Sequence, residues 1–173
     1  MVQSSRLASD CLRRHGARAC TDVTGFGLLG HLIEMTRPSG VDAELSLSAI
    51  PVLPGAEETV AAGILSSLQP ANVRLRRGIR DQARWREHPR YPLLFDPQTA
   101  GGLLAGVPKA NAEACVRSSK PWATRTPRSS GRCWPRSARA LSSRSVSVTR
   151  PPEPGPGNRL GEPGPASDGS GFR

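Results

Sequence analysis

The break at Val116 limits what this chain can fold into more than any other feature. Of the 57 residues that follow it, 27 are Pro, Gly or Ser, a composition that buries too little apolar surface to offset the entropy of ordering. A folded domain is therefore expected over residues 1–116 and a disordered tail over 117–173. Charge divides at the same point, with 13 Lys+Arg against 11 Asp+Glu before it and 11 against 3 after it. Most of the formal net charge of +10, +8 of it, thus belongs to the tail, and a nucleic-acid partner is expected only through that segment.

The tail carries a second signal. With 22 Arg against 2 Lys, the gene reads as GC-rich. Back-translating KPWATRTPRSSGRCWP with suitable codons and reading two bases further on gives ALGYADAAVIGPVLA, a helix end, a glycine turn and an apolar strand. A shift of reading frame near residue 117 would turn the closing helix and strand of a domain into such a tail. The alternatives are a linker or a basic arm that binds nucleic acid.

Within residues 1–116 the pattern interleaves helices and short strands. Leu7, Cys11 and Leu12 stand at helical spacing in SSRLASDCLRRH, and Gly16 ends that helix as a C-terminal cap would. ARAC predicts a short buried strand running into Asp22. Phe26, Leu29, Leu32 and Ile33 then share one face of a helix over 26–36, with Pro38 beyond its end. Ala43, Leu45 and Leu47 alternate with polar residues, which predicts a strand with one covered face. AEETVAAGIL has the composition of a short helix. Residues 66–91 lose periodicity and are expected as a surface loop with one helix between 73 and 86. Two short strands, 93–95 and 103–107, are expected to flank the turn PQTAGG, with a helix from Lys109. Without a regular βαβ period, the class is α+β, one mixed sheet covered by helices.

The segment ACTDVTGFGLLGHLIEM sets an acid and three glycines at the start of a helix that they weaken. Magnesium takes oxygen ligands and keeps several waters, so a magnesium-nucleotide site needs only one or two carboxylates from any segment. Asp22 suits that use. Thr24 adds a hydroxyl, and Gly25 and Gly27 let backbone approach an anion where helix N–H groups are free. The alternative is that Asp22 or Thr24 caps the helix and the glycines serve packing. In FDPQTAGG, Asp96 and Pro97 form a turn, and Gly101 and Gly102 either satisfy a positive φ or face the same ligand. His31 is expected as a satisfied, half-buried residue, and Arg74, Arg76, Arg77 and Arg80 as a solvated face. No Ser/His/Asp or Cys/His arrangement follows from spacing, so no catalytic residue is assigned.

Cys11, Cys20, Cys115 and Cys133 form no CxxC pair and are expected as free thiols in a reducing compartment. No stretch approaches the ~20 apolar residues of a membrane span, and the first residues lack the apolar core of a signal peptide. The cytoplasm is expected.

Together, ACTDVTGFGLLGHLIEM and LLFDPQTAGGLLAGVP closely resemble the two signature segments of the C-terminal domain of the selenophosphate synthetases, relatives of aminoimidazole ribonucleotide synthetase, over residues 1–116. The resemblance implies a two-domain, usually dimeric enzyme. Selenide and water receive the γ- and β-phosphates of ATP, giving selenophosphate, phosphate and AMP. It also implies that Asp22 helps to hold magnesium on the nucleotide. The family's glycine-rich catalytic segment, its reactive Cys or selenocysteine and most ATP contacts belong to an N-terminal domain that this sequence does not contain, so the chain is expected to be inactive alone. Cys11 and Cys20 stand outside that motif. Asn72 falls where the family has a glycine-rich, Asn-containing turn, but the glycines are missing. Another member of the same ATP-binding superfamily is the alternative reading.

Overall fold

A computed structural model of the chain describes residues 4–119, 131–135 and 146–148. It opens with α1 (Arg6–Arg14). Gly16, at φ 76°, closes that helix: its N–H donates to Arg13 O at 3.0 Å and the Ala17 N–H to Leu12 O at 3.0 Å, the paired bonds of a Schellman cap. The chain turns into β1 (Ala19–Asp22), then α2 (Gly27–Ser39) and β2 (Val41–Leu45). Short helical pieces follow: a 3₁₀ turn at Leu47–Ala49, α3 (Ala56–Ala61), α4 (Gln69–Asn72), a 3₁₀ turn at Val73–Gly78, α5 (Gln82–Trp85) and a 3₁₀ turn at Pro92–Phe95. β3 (Leu103–Gly106) and α6 (Lys109–Ser119) complete the continuous part. β4 (Gly131–Pro135) and β5 (Val146–Val148) are the later strands.

The α+β class holds, but the described strands form two small antiparallel sheets where one mixed sheet was expected. β1 pairs with β3, and β2 lies between β4 and β5. The cause is that β2 finds no partner within residues 1–116. Its neighbours come from a stretch read as tail, and the rest of that tail, 120–130, 136–145 and 149–173, lies outside the described residues.

The core joins Leu29 and Leu32 of α2, Ala43 and Leu45 of β2, and Leu47, Ile50, Ile79, Tyr91, Leu94 and Phe95. With few aromatics available, Tyr91 and Phe95 meet edge to face, centroids 5.2 Å apart. Those two with Leu94 stand at i, i+3 and i+4, which is helical spacing. That is why 92–95 winds into a 3₁₀ turn instead of the strand expected at 93–95. Pro92 at its start fixes φ for the turn.

Several other expectations shift for equally local reasons. Pro38 sits inside the last turn of α2, which runs on until Gly40 adopts φ 64°. Phe26 precedes that helix and is 56% exposed instead of sharing its buried face. β2 starts at Val41 and is covered on both faces, Asp42 and Glu44 being buried along with Ala43 and Leu45. Asp42 is neutralised there by Arg80, whose Nη2 donates to Oδ2 at 3.0 Å, so Arg80 leaves the solvated arginine group. Arg74, Arg76 and Arg77 remain exposed. Residues 66–91 are a string of helical turns, not a loop, and they bury Gln69, Asn72 and Ile79.

One arginine braces this irregular region. Arg90 donates from Nε to Glu57 Oε1 at 2.6 Å and from Nη1 to Ser48 O at 2.8 Å and Ile50 O at 2.9 Å. At the opposite side α1 packs on α6. Cys11 is fully buried, its Sγ 4.0 Å from Cys115 O, and burial together with Cys11 pushes the Cys115 thiol up. Cys11, Cys20 and Cys115 are free thiols. Among the described residues no helix is long and apolar enough to cross a membrane.

Candidate functional site

The two glycine-bearing segments singled out in the sequence are stitched together by backbone. Asp22 lies opposite Leu103 at the end of the β1–β3 ladder, and the pairing continues past the strands. The Val23 N–H donates to Gly102 O at 3.0 Å, the Gly101 N–H to Val23 O at 2.9 Å, and the Gln98 N–H to Thr24 O at 3.1 Å. Thr24 O also accepts from the Gly27 N–H at 3.0 Å. Asp22, Thr24, Gly25, Gly27, Gly101 and Gly102 therefore share one end of a two-stranded ribbon, beside the start of α2.

Each of these residues is placed differently. Asp22 is exposed, its carboxylate on the same face of β1 as Cys20 because strand side chains alternate. Partial burial of the Cys20 thiol, and secondarily the Asp22 charge, raise the thiol above its ordinary value. Thr24 is half-buried, and its Oγ1 lies 3.1 Å from His31 Nε2 in a hydrogen bond whose direction follows the imidazole tautomer. His31 is buried. Its Nδ1 lies 3.1 Å from Glu34 Oε2 without hydrogen-bonding geometry, and its ring is 5.7 Å from that of Phe26. His31 thus orients Thr24 from behind, more deeply buried than the half-buried position expected.

The four glycines divide into two kinds. Gly27 has φ 68°, and a Cβ there would come within 2.9 Å of the Phe95 carbonyl carbon and 3.0 Å of Asp96 O. Gly101 would likewise drive a Cβ into Val23 O and Gln98 Oε1. Neither position leaves room for a side chain, and Gly101 and Gly102 are not among the glycines with a positive φ, the other use expected of that pair. Gly25 and Gly102 are the reverse: both are exposed, and an added Cβ meets nothing within 4 Å. Their backbone faces open space at the mouth of the ribbon.

A side chain that the motifs do not contain holds this geometry. Asn72, 7% exposed, donates from Nδ2 to Gly25 O at 2.8 Å and to Phe95 O at 3.1 Å. The sequence alone assigns Asn72 no role. The available signal was a polar residue in a stretch without periodicity, which spacing does not distinguish from a solvated one. Asp96, next to that anchored carbonyl, is half-buried, and burial raises its carboxyl above the ordinary value.

Among the described residues no group of three or more His, Cys, Asp or Glu is placed to hold a metal ion. The donor set does not fit a closed protein cage. A hard cation that keeps water and phosphate oxygens would need only one carboxylate from this chain, and the exposed Asp22 is the residue that could supply it.

The family described as AIR synthase related protein, C-terminal domain, matches residues 3–125. Selenide, water dikinase of Caldanaerobacter subterraneus subsp. tengcongensis is 40% identical over 117 residues, covering 68% of this chain and 34% of that protein. Selenide, water dikinase of Cronobacter sakazakii is 44% identical over 121 residues, 68% of this chain and 33% of its own. Selenide, water dikinase 2 of Peptoclostridium acidaminophilum is 35% identical over 120 residues, 66% and 33% respectively. The chain spans about a third of the length of the curated relatives it matches.

Proposed function

The chain belongs to the AIR synthase related protein, C-terminal domain family, and from that premise we propose that it is the nucleotide-facing C-terminal part of a selenophosphate synthetase. The whole enzyme would convert ATP, selenide and water to selenophosphate, AMP and phosphate. Its product supplies selenium for selenocysteine and modified tRNA bases. The relatives at 35–44% identity all carry the name selenide, water dikinase, which supports this activity over that of another family member.

One observation carries the reading. The backbone ladder joins the two signature segments so that an exposed Asp22 stands beside two glycines, Gly25 and Gly102, whose α-carbons face open space. An added Cβ at either glycine meets no atom within 4 Å, so the main chain is open to approach there. Asp22 gives one carboxylate to magnesium, in company with aspartates of the enzyme's N-terminal domain. Gly25 and Gly102 let phosphate oxygens approach the main chain, and Thr24, held by His31, offers its hydroxyl. When bound, magnesium offsets the charge that spreads over a phosphoryl group in transfer. Gly27 and Gly101 keep the ribbon closed enough for this geometry to persist. No residue of this chain is assigned a catalytic role, and the chain is expected to be inactive alone. The intact enzyme is expected to be a cytoplasmic homodimer, in keeping with the free thiols of Cys11, Cys20 and Cys115.

The test is complementation. The chain is mixed with the two thirds of the Caldanaerobacter relative that it does not match, and selenide-dependent AMP formation is followed. AMP above the level of either part alone is expected; no increase would overturn the assignment.

A further inference from the structure

Two buried amides on one short helix do different work. Gln69 and Asn72 lie three residues apart on α4 and are 3% and 7% exposed, although both residue types are ordinarily solvated. Gln69 donates from Nε2 to Pro92 O at 2.8 Å, so it holds only the 92–95 turn. Asn72 donates to Phe95 O at the end of that turn and also to Gly25 O in the other loop. Both N–H bonds of a single amide are thereby committed to main-chain oxygens belonging to two separate ligand-facing segments.

Backbone bonds to Thr24 O close both loops nearby, and Asn72 adds a hold at two further oxygens. Gly25 is exposed with no neighbour on the side a Cβ would occupy, and Phe95 O stands at the exit from a four-residue turn. A glycine peptide with an open side samples many conformations unless something holds it. We propose that Asn72 is a positioning residue that locks the Gly25 peptide to the Phe95–Asp96 peptide, and so sets the spacing at which Asp22 and Gly25 on one segment and Gly102 on the other meet a magnesium-bound nucleotide. The need for a nucleotide rests on the proposed function; the lock itself does not. Buried carbonyl oxygens that lose their donor are left unsatisfied, so the near-isosteric Asn72→Asp, which replaces the two N–H donors of Nδ2 with one acceptor oxygen facing two carbonyl oxygens, opens the lock. Gln69→Leu removes the neighbouring amide bond but leaves Gly25 held.

The experiment has two readouts on the 173-residue chain. Amide hydrogen exchange at Gly27 and Gln98, whose N–H groups close the two loops on Thr24 O, is expected to quicken about 10-fold or more in Asn72→Asp. Exchange at Ala17, in the α1 cap, stays unchanged, and Gln69→Leu leaves Gly27 at the parent rate. MgATP affinity, measured with the unmatched part of the Caldanaerobacter relative present, is expected to fall by about 10-fold in Asn72→Asp and to change little in Gln69→Leu. Unchanged exchange at Gly27 and Gln98 would overturn the lock. Faster exchange with unaltered MgATP affinity would overturn its positioning role. If the parent itself takes up no MgATP, the proposed function fails while the exchange result still judges the lock. Should Asn72→Asp not fold, the unsubstituted chain decides: both Asn72 side-chain amide protons should exchange slowly and shift together with the Gly25 resonance on MgATP addition, and fast exchange of either overturns the proposal.

Discussion

At the scale of single residues, the glycines separate packing from ligand approach. Gly27→Ala places a side chain at φ 68° against the Phe95 and Asp96 backbone and is expected to cost about 2 kcal/mol or more in urea unfolding. Gly25→Ala meets no atom and is expected to stay within about 0.5 kcal/mol of the parent. A large loss at Gly25 would mean that its φ and ψ, not its open side, require glycine. Asp96 makes a second residue-scale prediction. Its folded-state carboxyl is raised by burial, so the folded chain holds a proton that the unfolded chain has already released. Stability is therefore lost as pH rises from the ordinary carboxylate value through the raised one. Asp96→Asn removes that loss: its stability relative to the parent should grow with pH across this window and level off above it. A difference that shrinks with rising pH would contradict the assigned direction.

At the scale of elements, Arg90 does the work of a missing strand. Its guanidinium collects the carbonyls of Ser48 and Ile50 and the Glu57 carboxylate, ordering a stretch with little regular structure. Arg90→Met should cost about 2 kcal/mol, and Arg90→Lys should not restore it, because a single ammonium cannot span the fork; full rescue by Lys would show that charge alone suffices. How much could be read beforehand follows the same local physics. α1 and its Gly16 cap were legible because apolar spacing and a glycine stop agree; α2 was legible in its apolar spacing but not in its end, which Gly40 sets and not Pro38; and β1 was expected as a buried strand, whereas its residues alternate between half-buried and exposed. The 92–95 turn was not legible, since a three-residue apolar run fits a strand and a helical turn equally well and only the burial of Tyr91, Leu94 and Phe95 decides. α4 was illegible for a different reason. Gln69 and Asn72 are polar residues buried by the carbonyls they capture, and hydropathy has no term for such a partner. The two glycine segments stood out in the sequence, but their meeting, and which glycines pack and which stay open, is set by neighbours far away in sequence.

At the scale of the whole molecule, the later strands matter to the earlier domain. β2 is flanked on both edges by β4 and β5, so a chain ending at Ser119 would leave Val41–Leu45 with two open edges, a template for aggregation. Such a chain should lose at least ~5 °C in Tm, the equivalent of about 1 kcal/mol for a domain of this size, and aggregate sooner; an unchanged Tm would show that β2 does not depend on those neighbours. The larger claim concerns what the ribbon end is for. MgATP affinity of the chain combined with the unmatched part of the Caldanaerobacter relative, compared between the parent and Asp22→Asn, tests it most directly. The exposed carboxylate at position 22 should be dispensable for folding and needed for the metal-bound nucleotide. The expected result is an unchanged Tm with affinity reduced about 10-fold or more, and equal affinity in the two proteins would contradict it.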